Sequence, residues 1–271
     1  MKNLKKIIKT LLSNRFLRDL FSIGWNPYYD ITFHGTAESY VEAIKKIDNK
    51  KGFKKFKDTL DLIEKNNMDV DKISVTDSEV YSFLPILISA IQNLNKVNSI
   101  LDIGGGKYPI NIYIKECCNI SIPCIVLETD DWVEKLNQLA QKNINDIRYV
   151  SDLSQIKDTK FDIINMGSSL QYFEGKHYDF LLKILNYDPN YIIITRNFFT
   201  KNNNDFFSLQ SCGRNHLIPH TFFSFKKLVS FLEDKSYTLI FKTNHLNYYI
   251  HEELKNNEFE YKSLIFEKKK I

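Results

Sequence analysis

Glycine, proline and tryptophan are scarce in this 271-residue chain, at nine, six and two. So little glycine and proline excludes a collagen-like or proline-rich disordered chain. A content of 43% hydrophobic and 26% charged residues is ordinary globular usage. Long apolar runs are missing too: the one at 84–91 is too short for a bilayer and is broken by Pro85 and Ser89. The four cysteines, Cys117, Cys118, Cys124 and Cys212, lack paired CxxC spacing. Reduced core thiols are therefore expected, with neither a disulfide framework nor a metal site. No secretory leader is legible, because Lys9, Arg15 and Arg18 interrupt the apolar stretch behind the basic start. A cytoplasmic location is expected.

A net positive excess beyond the amino-terminal segment is lacking as well. The formal net charge is +4, but residues 1–20 carry Lys2, Lys5, Lys6, Lys9, Arg15 and Arg18 against Asp19 alone, leaving the other 251 residues near −1. That balance gives no reason to expect a nucleic-acid partner. Leu4, Ile7, Ile8, Leu11, Leu12, Phe16 and Leu20 fall at helical spacing. Such a helix suits docking on the protein itself or a weak peripheral contact of residues 1–20 with an anionic membrane. Nothing in the sequence marks an oligomeric state.

The first 95 residues read as a helical extension. Trp25, Tyr28, Tyr29 and Phe33 suggest a packed aromatic loop, followed by helical patterns over about 36–65 and 78–94. This extension is expected to pack on the sheet and roof an acceptor. From Val97 the texture changes. Short apolar runs at 99–103, 124–127, 147–150, 161–166, 191–195, 237–242 and 261–267 read as seven strands, with helices near 110–117, 131–142, 176–186 and 223–232. The alternation predicts an α/β fold, a Rossmann-like, largely parallel sheet over 96–271. Residues 197–222 are long for a strand-to-helix connection and suggest an insertion that acts as a lid or an acceptor wall.

The first of these strands runs into Leu101-Asp102-Ile103-Gly104-Gly105-Gly106, and the second ends at Glu128. Gly104, Gly105 and Gly106 let backbone approach a nucleoside closely, and a strand-tip carboxylate can accept both ribose hydroxyls. Neither a GxGxxG dinucleotide fingerprint nor a P-loop is present. Asp102 suits either orienting the turn or receiving an ammonium. Asp152 suits either an adenine amino group or the cap of a short helix. Gly167 follows the fourth strand at the edge where ligands of open α/β sheets collect.

These features resemble the first two motifs of class I S-adenosylmethionine-dependent methyltransferases. More narrowly, the chain resembles a methyltransferase family found among surface-polysaccharide and lipopolysaccharide biosynthesis genes. The likeness runs from Phe33-His34-Gly35 through Gly167-Ser168-Ser169-Leu170-Gln171-Tyr172, Tyr191-Ile192-Ile193-Ile194-Thr195-Arg196 and Gln210 to the closing strand. Two places depart from that family: Lys107-Tyr108-Pro109-Ile110 after the glycines and Thr129-Asp130-Asp131-Trp132 after Glu128. The resemblance implies S-adenosyl-L-methionine as cofactor. It also implies a sugar nucleotide, glycan or phosphorylated precursor of a capsule or lipopolysaccharide as acceptor. A non-catalytic scaffold binding the same cofactor is the alternative. An NAD-dependent sugar oxidoreductase or epimerase is disfavoured by the missing fingerprint and the missing YxxxK pair.

Methyl transfer to a hydroxyl needs an in-line nucleophile, excluded water and a base. His177, His216 and His220 are the candidate bases. Gln171 and Tyr172 are candidate acceptor contacts. Arg196 closes an apolar strand and suits either an anion on the acceptor or an internal carboxylate.

Overall fold

The computed structural model describes residues 33–48, 96–106, 109–143, 146–211, 217–244, 254 and 259–269. In chain order the strands are β1 (Phe33–Ala37), β2 (Ile100–Ile103), β3 (Cys124–Leu127), β4 (Ile147–Val150), β5 (Ile163–Gly167), β6 (Tyr191–Thr200), β7 (Phe206–Ser211), β8 (Leu217–Ser224), β9 (Tyr237–Asn244) and β10 (Phe259–Lys268). The helices are α1 (Tyr40–Asp48), α2 (Ile110–Cys118), α3 (Asp130–Asn143), α4 (His177–Leu185) and α5 (Phe225–Glu233). The chain divides into two compact units. One comprises Met1–Lys65, Phe207–His220 and Asn247–Asn257; the other comprises Asn66–Phe206, Thr221–Leu246 and Glu258–Ile271.

The second unit contains the seven expected strands in the order β4-β3-β2-β5-β6-β10-β9. The first five are parallel, and β10 runs antiparallel to both β6 and β9. Successive residues of these strands feed opposite layers. Ile100, Ile163 and Ile193 pack with Ile114 of α2 and Leu136 of α3. Leu101, Ile164, Ile192 and Ile194 pack with Leu181 and Ile184 of α4 and Leu228 and Leu232 of α5. A sheet covered on both faces needs apolar residues on both, which is why its strands read as unbroken apolar runs. Each such fully buried side chain contributes roughly 1.5–3 kcal/mol. Ser224 caps α5 by accepting the Lys227 N–H, and Asn119 ends α2 in the left-handed conformation.

Residues 197–222 are not an open loop. β6 continues five residues beyond Thr195, the last residue paired with β5, and Phe199 and Thr200 then pair in parallel with Phe223 and Ser224 of β8. A bulge sits at the junction: Ile194 opposes Leu264 and Asn197 opposes Lys262, and Arg196 takes φ +56°. The extra residue changes the phase of the strand, so Ile192, Ile194 and Phe199 all reach the same core layer. On the extension, Phe198 meets Phe222 and Tyr261 at ring-centroid distances of 5.3 and 4.6 Å.

In the first unit, β1 pairs antiparallel with β7, Phe33 opposite Gln210 and Ala37 opposite Phe207. Ala37, Ala43, Ile47, Phe207, Leu209 and Leu217 form its core. The loop expected around Phe33 is thus a strand there, and of the helix expected over 36–65 the described part is α1. The helix expected at 223–232 begins at Phe225, because Phe223 and Ser224 complete β8. The remainder of the 1–95 extension, including the basic helix at 3–20 and the helix at 78–94, lies outside the described residues. Among the described residues, no helix is long and apolar enough to cross a membrane.

Candidate functional site

The carboxyl-terminal tips of β2, β3 and β5 bring the sequence motifs together. Gly104 N donates to Leu127 O at 2.9 Å and Glu128 N to Val150 O at 2.9 Å, so the parallel ladders extend through the tips. The glycine turn then folds toward Glu128, whose Oε1 accepts the Gly106 N–H at 2.7 Å. Its Oε2 accepts from Thr129 N at 3.3 Å. A carboxylate offers about four acceptor positions, so capacity remains for a ligand's hydroxyls. Burial pushes the Glu128 carboxyl up, against the pull of the Gly106 and Thr129 N–H groups.

The three glycines serve different ends. A Cβ on Gly104, which has φ +71°, would stand 2.7 Å from the Ser169 Cβ. One on Gly105 would stand 2.7 Å from Oδ2 of Asp102, whose carboxylate is folded beneath the turn. At Gly106 the nearest atom would be Glu128 Oε1 at 3.9 Å, so this is where space stays open. Gly104 and Gly105 accommodate the protein itself, and Gly106 leaves room for a ligand.

Asp102 takes the turn-orienting role. Its Oδ2 accepts from Ile110 N at 2.6 Å, at the start of α2, and its Oδ1 from Asn165 Nδ2 at 2.7 Å. Asp102 is 1% exposed, and burial pushes its carboxyl up to about 6 despite those two hydrogen bonds. Glu128 pushes in the same direction, and the positive charge of Arg196 opposes it. Two desolvated carboxylates beside a glycine cradle form a site that a cationic ligand would relieve.

Asp152 caps the short helix Leu153–Ile156: Oδ1 accepts from Ser154 N at 2.6 Å, and Gln155 completes a capping box. The Ser154 hydrogen bond holds this exposed carboxyl below its usual range. Trp132, half-buried, packs against the core beside α2 and α3. At the end of β5, a Cβ on Gly167 would meet Thr195 Oγ1 at 3.3 Å, Arg196 Nη2 at 3.5 Å and Asn165 Nδ2 at 3.6 Å. The bulge therefore aims the Arg196 side chain back over β5 into the space that Gly167 leaves. The Arg196 backbone is held by Arg196 N to Ser263 Oγ and by Ser168 Oγ to Arg196 O, both 3.2 Å.

Gln171 is buried in the turn Leu170–Tyr172. Its Nε2 donates to Ser168 O at 2.6 Å, its backbone oxygen accepts from Thr221 Oγ1 at 3.0 Å, and its Oε1 is buried without a hydrogen-bond partner. Tyr172 beside it is half-buried. Of the three histidines, His177 and His220 fall among the described residues. His177 is buried with its Nε2 3.2 Å from Asp205 Oδ2 and its ring edge-on to Phe223 at 5.0 Å. Asp205 also accepts from Ser224 N at 2.7 Å and Lys227 Nζ at 3.2 Å. Burial raises the Asp205 carboxyl, but the His177, Ser224 and Lys227 contacts outweigh it and hold the group below its usual range. His220 is buried in the first unit, edge-on to Phe33 at 5.0 Å. His216 lies outside the described residues.

Among the described residues, no group of three or more His, Cys, Asp or Glu is placed to hold a metal. Cys124 is a free thiol in the core, and burial raises it. Asn165, which meets Asp102 beneath the glycine turn, is a residue that motif reading passes over. For Asn165 a signal existed: it is the polar residue inside the apolar run Ile163-Ile164-Asn165-Met166.

No protein-family model matches the chain, and no curated protein matches it. Solved structures do. The Burkholderia thailandensis 1,6-didemethyltoxoflavin-N1-methyltransferase, with 1,6-didemethyltoxoflavin and S-adenosylhomocysteine bound, is 15% identical at a TM-score of 0.50, over 78% of this chain and 87% of that one. The magnesium protoporphyrin IX methyltransferase of Synechocystis PCC 6803, with S-adenosylhomocysteine bound, is 11% identical at 0.50, over 83% and 98%. The PH0226 protein of Pyrococcus horikoshii OT3 is 10% identical at 0.51, over 75% and 94%. These likenesses establish the fold: the Rossmann-like sheet of class I methyltransferases.

Proposed function

We propose that the chain is an S-adenosylmethionine-dependent methyltransferase. We further propose that it O-methylates a sugar nucleotide, glycan or other phosphorylated small precursor of a surface polysaccharide. The observation that carries the cofactor reading is the Gly106 N–H to Glu128 Oε1 bond, which joins an open glycine turn to a strand-tip carboxylate on a sheet of this fold. The donor set fits: Glu128 has acceptor capacity for two ribose hydroxyls, and the Asp102–Glu128 pair favours a ligand carrying positive charge. Asp152, at the tip of β4, is the proposed partner of the adenine amino group. When bound, the cofactor supplies a methyl group made electrophilic by its sulfonium.

The chain's own residues then have three tasks. Glu128 and the glycine turn hold the nucleoside. Gln171 and Tyr172, following β5, face the acceptor and help exclude water. A histidine removes the hydroxyl proton. Alanine substitutions at His177, His216 and His220, read by turnover and by melting, assign that last role, since a base loses turnover at unchanged stability. The acceptor class rests on the family resemblance in the sequence. Calorimetry tests the cofactor: S-adenosylhomocysteine should bind and NAD should not. Turnover on sugar nucleotides and phosphorylated precursors separates enzyme from scaffold. Binding of NAD alone by the folded protein would sink the reading.

A further inference from the structure

We infer that Asn137 is a positioning residue for the nucleobase side of the site: it completes the edge of β4 and so fixes where Asp152 stands relative to Glu128. The role rests on the proposed function, which gives the ribose to Glu128 and the adenine amino group to Asp152. Strand β4 ends the sheet and, among the described strands, pairs with β3 alone. Along such a ladder, successive residues turn their N–H and C=O groups to alternate sides. Val150 faces inward, since its oxygen accepts from Glu128 N at 2.9 Å, so Tyr149 faces outward. The outward groups of an edge strand ordinarily go to water. Here Asn137 takes both: its Nδ2 donates to Tyr149 O and its Oδ1 accepts from Tyr149 N, each at 3.1 Å. A side-chain amide sets a donor beside an acceptor, as a neighbouring strand would, and only one orientation of it satisfies both partners. The next outward residue, Ser151, is closed in the same way. Its N–H donates to Gln155 Oε1 at 3.1 Å, and Asp152 N donates to the same oxygen at 3.4 Å.

Asn137 is itself firmly placed. It lies midway along α3, and its neighbour Leu136 is 2% exposed in the core layer that also holds Val126 of β3 and Tyr149 of β4. The same helix starts just after Glu128, with Thr129 O accepting from Trp132 N at 3.0 Å and from Val133 N at 3.2 Å. One rigid element therefore carries the ribose carboxylate at its head and grips β4 from its middle, three residues before Asp152. Asp152 is in turn aimed by Ser154 N, which donates to its Oδ1 at 2.6 Å. Without the amide, a four-residue strand would hold its tip by one ladder only. Asn137→Leu offers neither group. Asn137→Asp keeps the shape but only accepts, so Tyr149 O loses its donor.

Hydrogen exchange on the ligand-free protein reads the contact itself. The Tyr149 amide should be protected in the wild type and lose that protection in Asn137→Leu and Asn137→Asp, while β2 and β5 keep theirs. The consequence is read with two ligands: S-adenosylhomocysteine and its analogue with purine in place of adenine, which lacks only the base's amino group. Calorimetry on the wild type should show a preference for adenine of about 10- to 150-fold, the range of one charge-assisted hydrogen bond. Both variants should lose most of that preference and bind the purine analogue as the wild type does, because Glu128 keeps the ribose. Should Asn137→Leu fail to fold, the isosteric Asn137→Asp decides. A merely structural residue would lower the two affinities by one factor. A preference that survives in the folded variants, or a Tyr149 amide still protected there, overturns the inference. So does a wild type that binds both ligands equally, with the methyltransferase reading left standing. If the folded wild type binds neither ligand, the functional proposal fails and the inference falls with it.

Discussion

Asp102 and Asn165 oppose each other across the β2–β5 ladder, and their side chains meet at 2.7 Å in a layer where 1% and 6% of the two residues is exposed. The contact keeps a desolvated carboxylate at the centre of the sheet edge, with a proton affinity set by its surroundings.

That affinity has a pH signature. The Asp102 carboxyl goes from an ordinary 3.8 to about 6 in the folded protein, first because it is buried. Between those values the native state holds more protons than the unfolded state, so the contribution to stability falls as pH rises from about 4 to about 6 and is flat above. The full span is about 3 kcal/mol. Urea unfolding of wild type and Asp102→Asn at pH 4, 5, 6 and 7 should give a stability difference that changes across this window. A difference constant with pH would remove the assignment.

Glu128→Ala should weaken S-adenosylhomocysteine by about 10- to 150-fold, the loss of roughly 1.5–3 kcal/mol of charge-assisted bonds. Calorimetry reads the affinity, and a melt checks that the Gly106 turn survives. Unchanged affinity in a folded variant would exclude Glu128 from the ribose site.

The glycines should rank by what their Cβ would meet. Gly104→Ala and Gly105→Ala each place an atom 2.7 Å from a neighbouring side chain, Ser169 and Asp102, and should cost about 1–3 kcal/mol or more in unfolding free energy. Gly106→Ala has space and only left-handed strain, and should cost about 1 kcal/mol while reducing cofactor affinity more than the other two. The reverse ranking in denaturant melts would show the turn to be built differently.

His177→Ala should act on stability, because it removes the buried partner of Asp205 and leaves Ser224 N and Lys227 to hold that carboxylate. A loss of about 1–3 kcal/mol is expected. With its carboxyl held below 3.8, Asp205 contributes stability that is present above that value and lost as pH falls through its folded value. Acid unfolding of the variant should therefore begin at higher pH. Full stability with abolished turnover would make His177 the base.

Much of the second unit was legible because burial on both faces forces apolar residues at consecutive positions. Strands β2, β3 and β4 stand within one residue of where apolar runs place them. The spacing of Gly104 to Glu128 likewise marks two adjacent strand tips. The strands within residues 197–222 were less legible, for a physical reason. Asn202-Asn203-Asn204 lies between β6 and β7, and Phe207-Ser208-Leu209-Gln210 beyond it does alternate, but over too few residues to show which strands pair there. Their pairing is decided by distant partners, such as Phe223 opposite Phe199, which local pattern does not contain. Asn165 was passed over for the same reason: it matters through Asp102, far away in sequence.

The bulge at Arg196 makes β6 two half-strands spliced out of step. Removing that single residue would close the splice and exchange the sides of everything beyond it. Phe199 would leave the layer it shares with Phe223, and Phe198 would turn away from Phe222 and Tyr261. At this point the protein tolerates substitution far better than a change in length. A one-codon deletion here should be more damaging than replacing any neighbouring side chain.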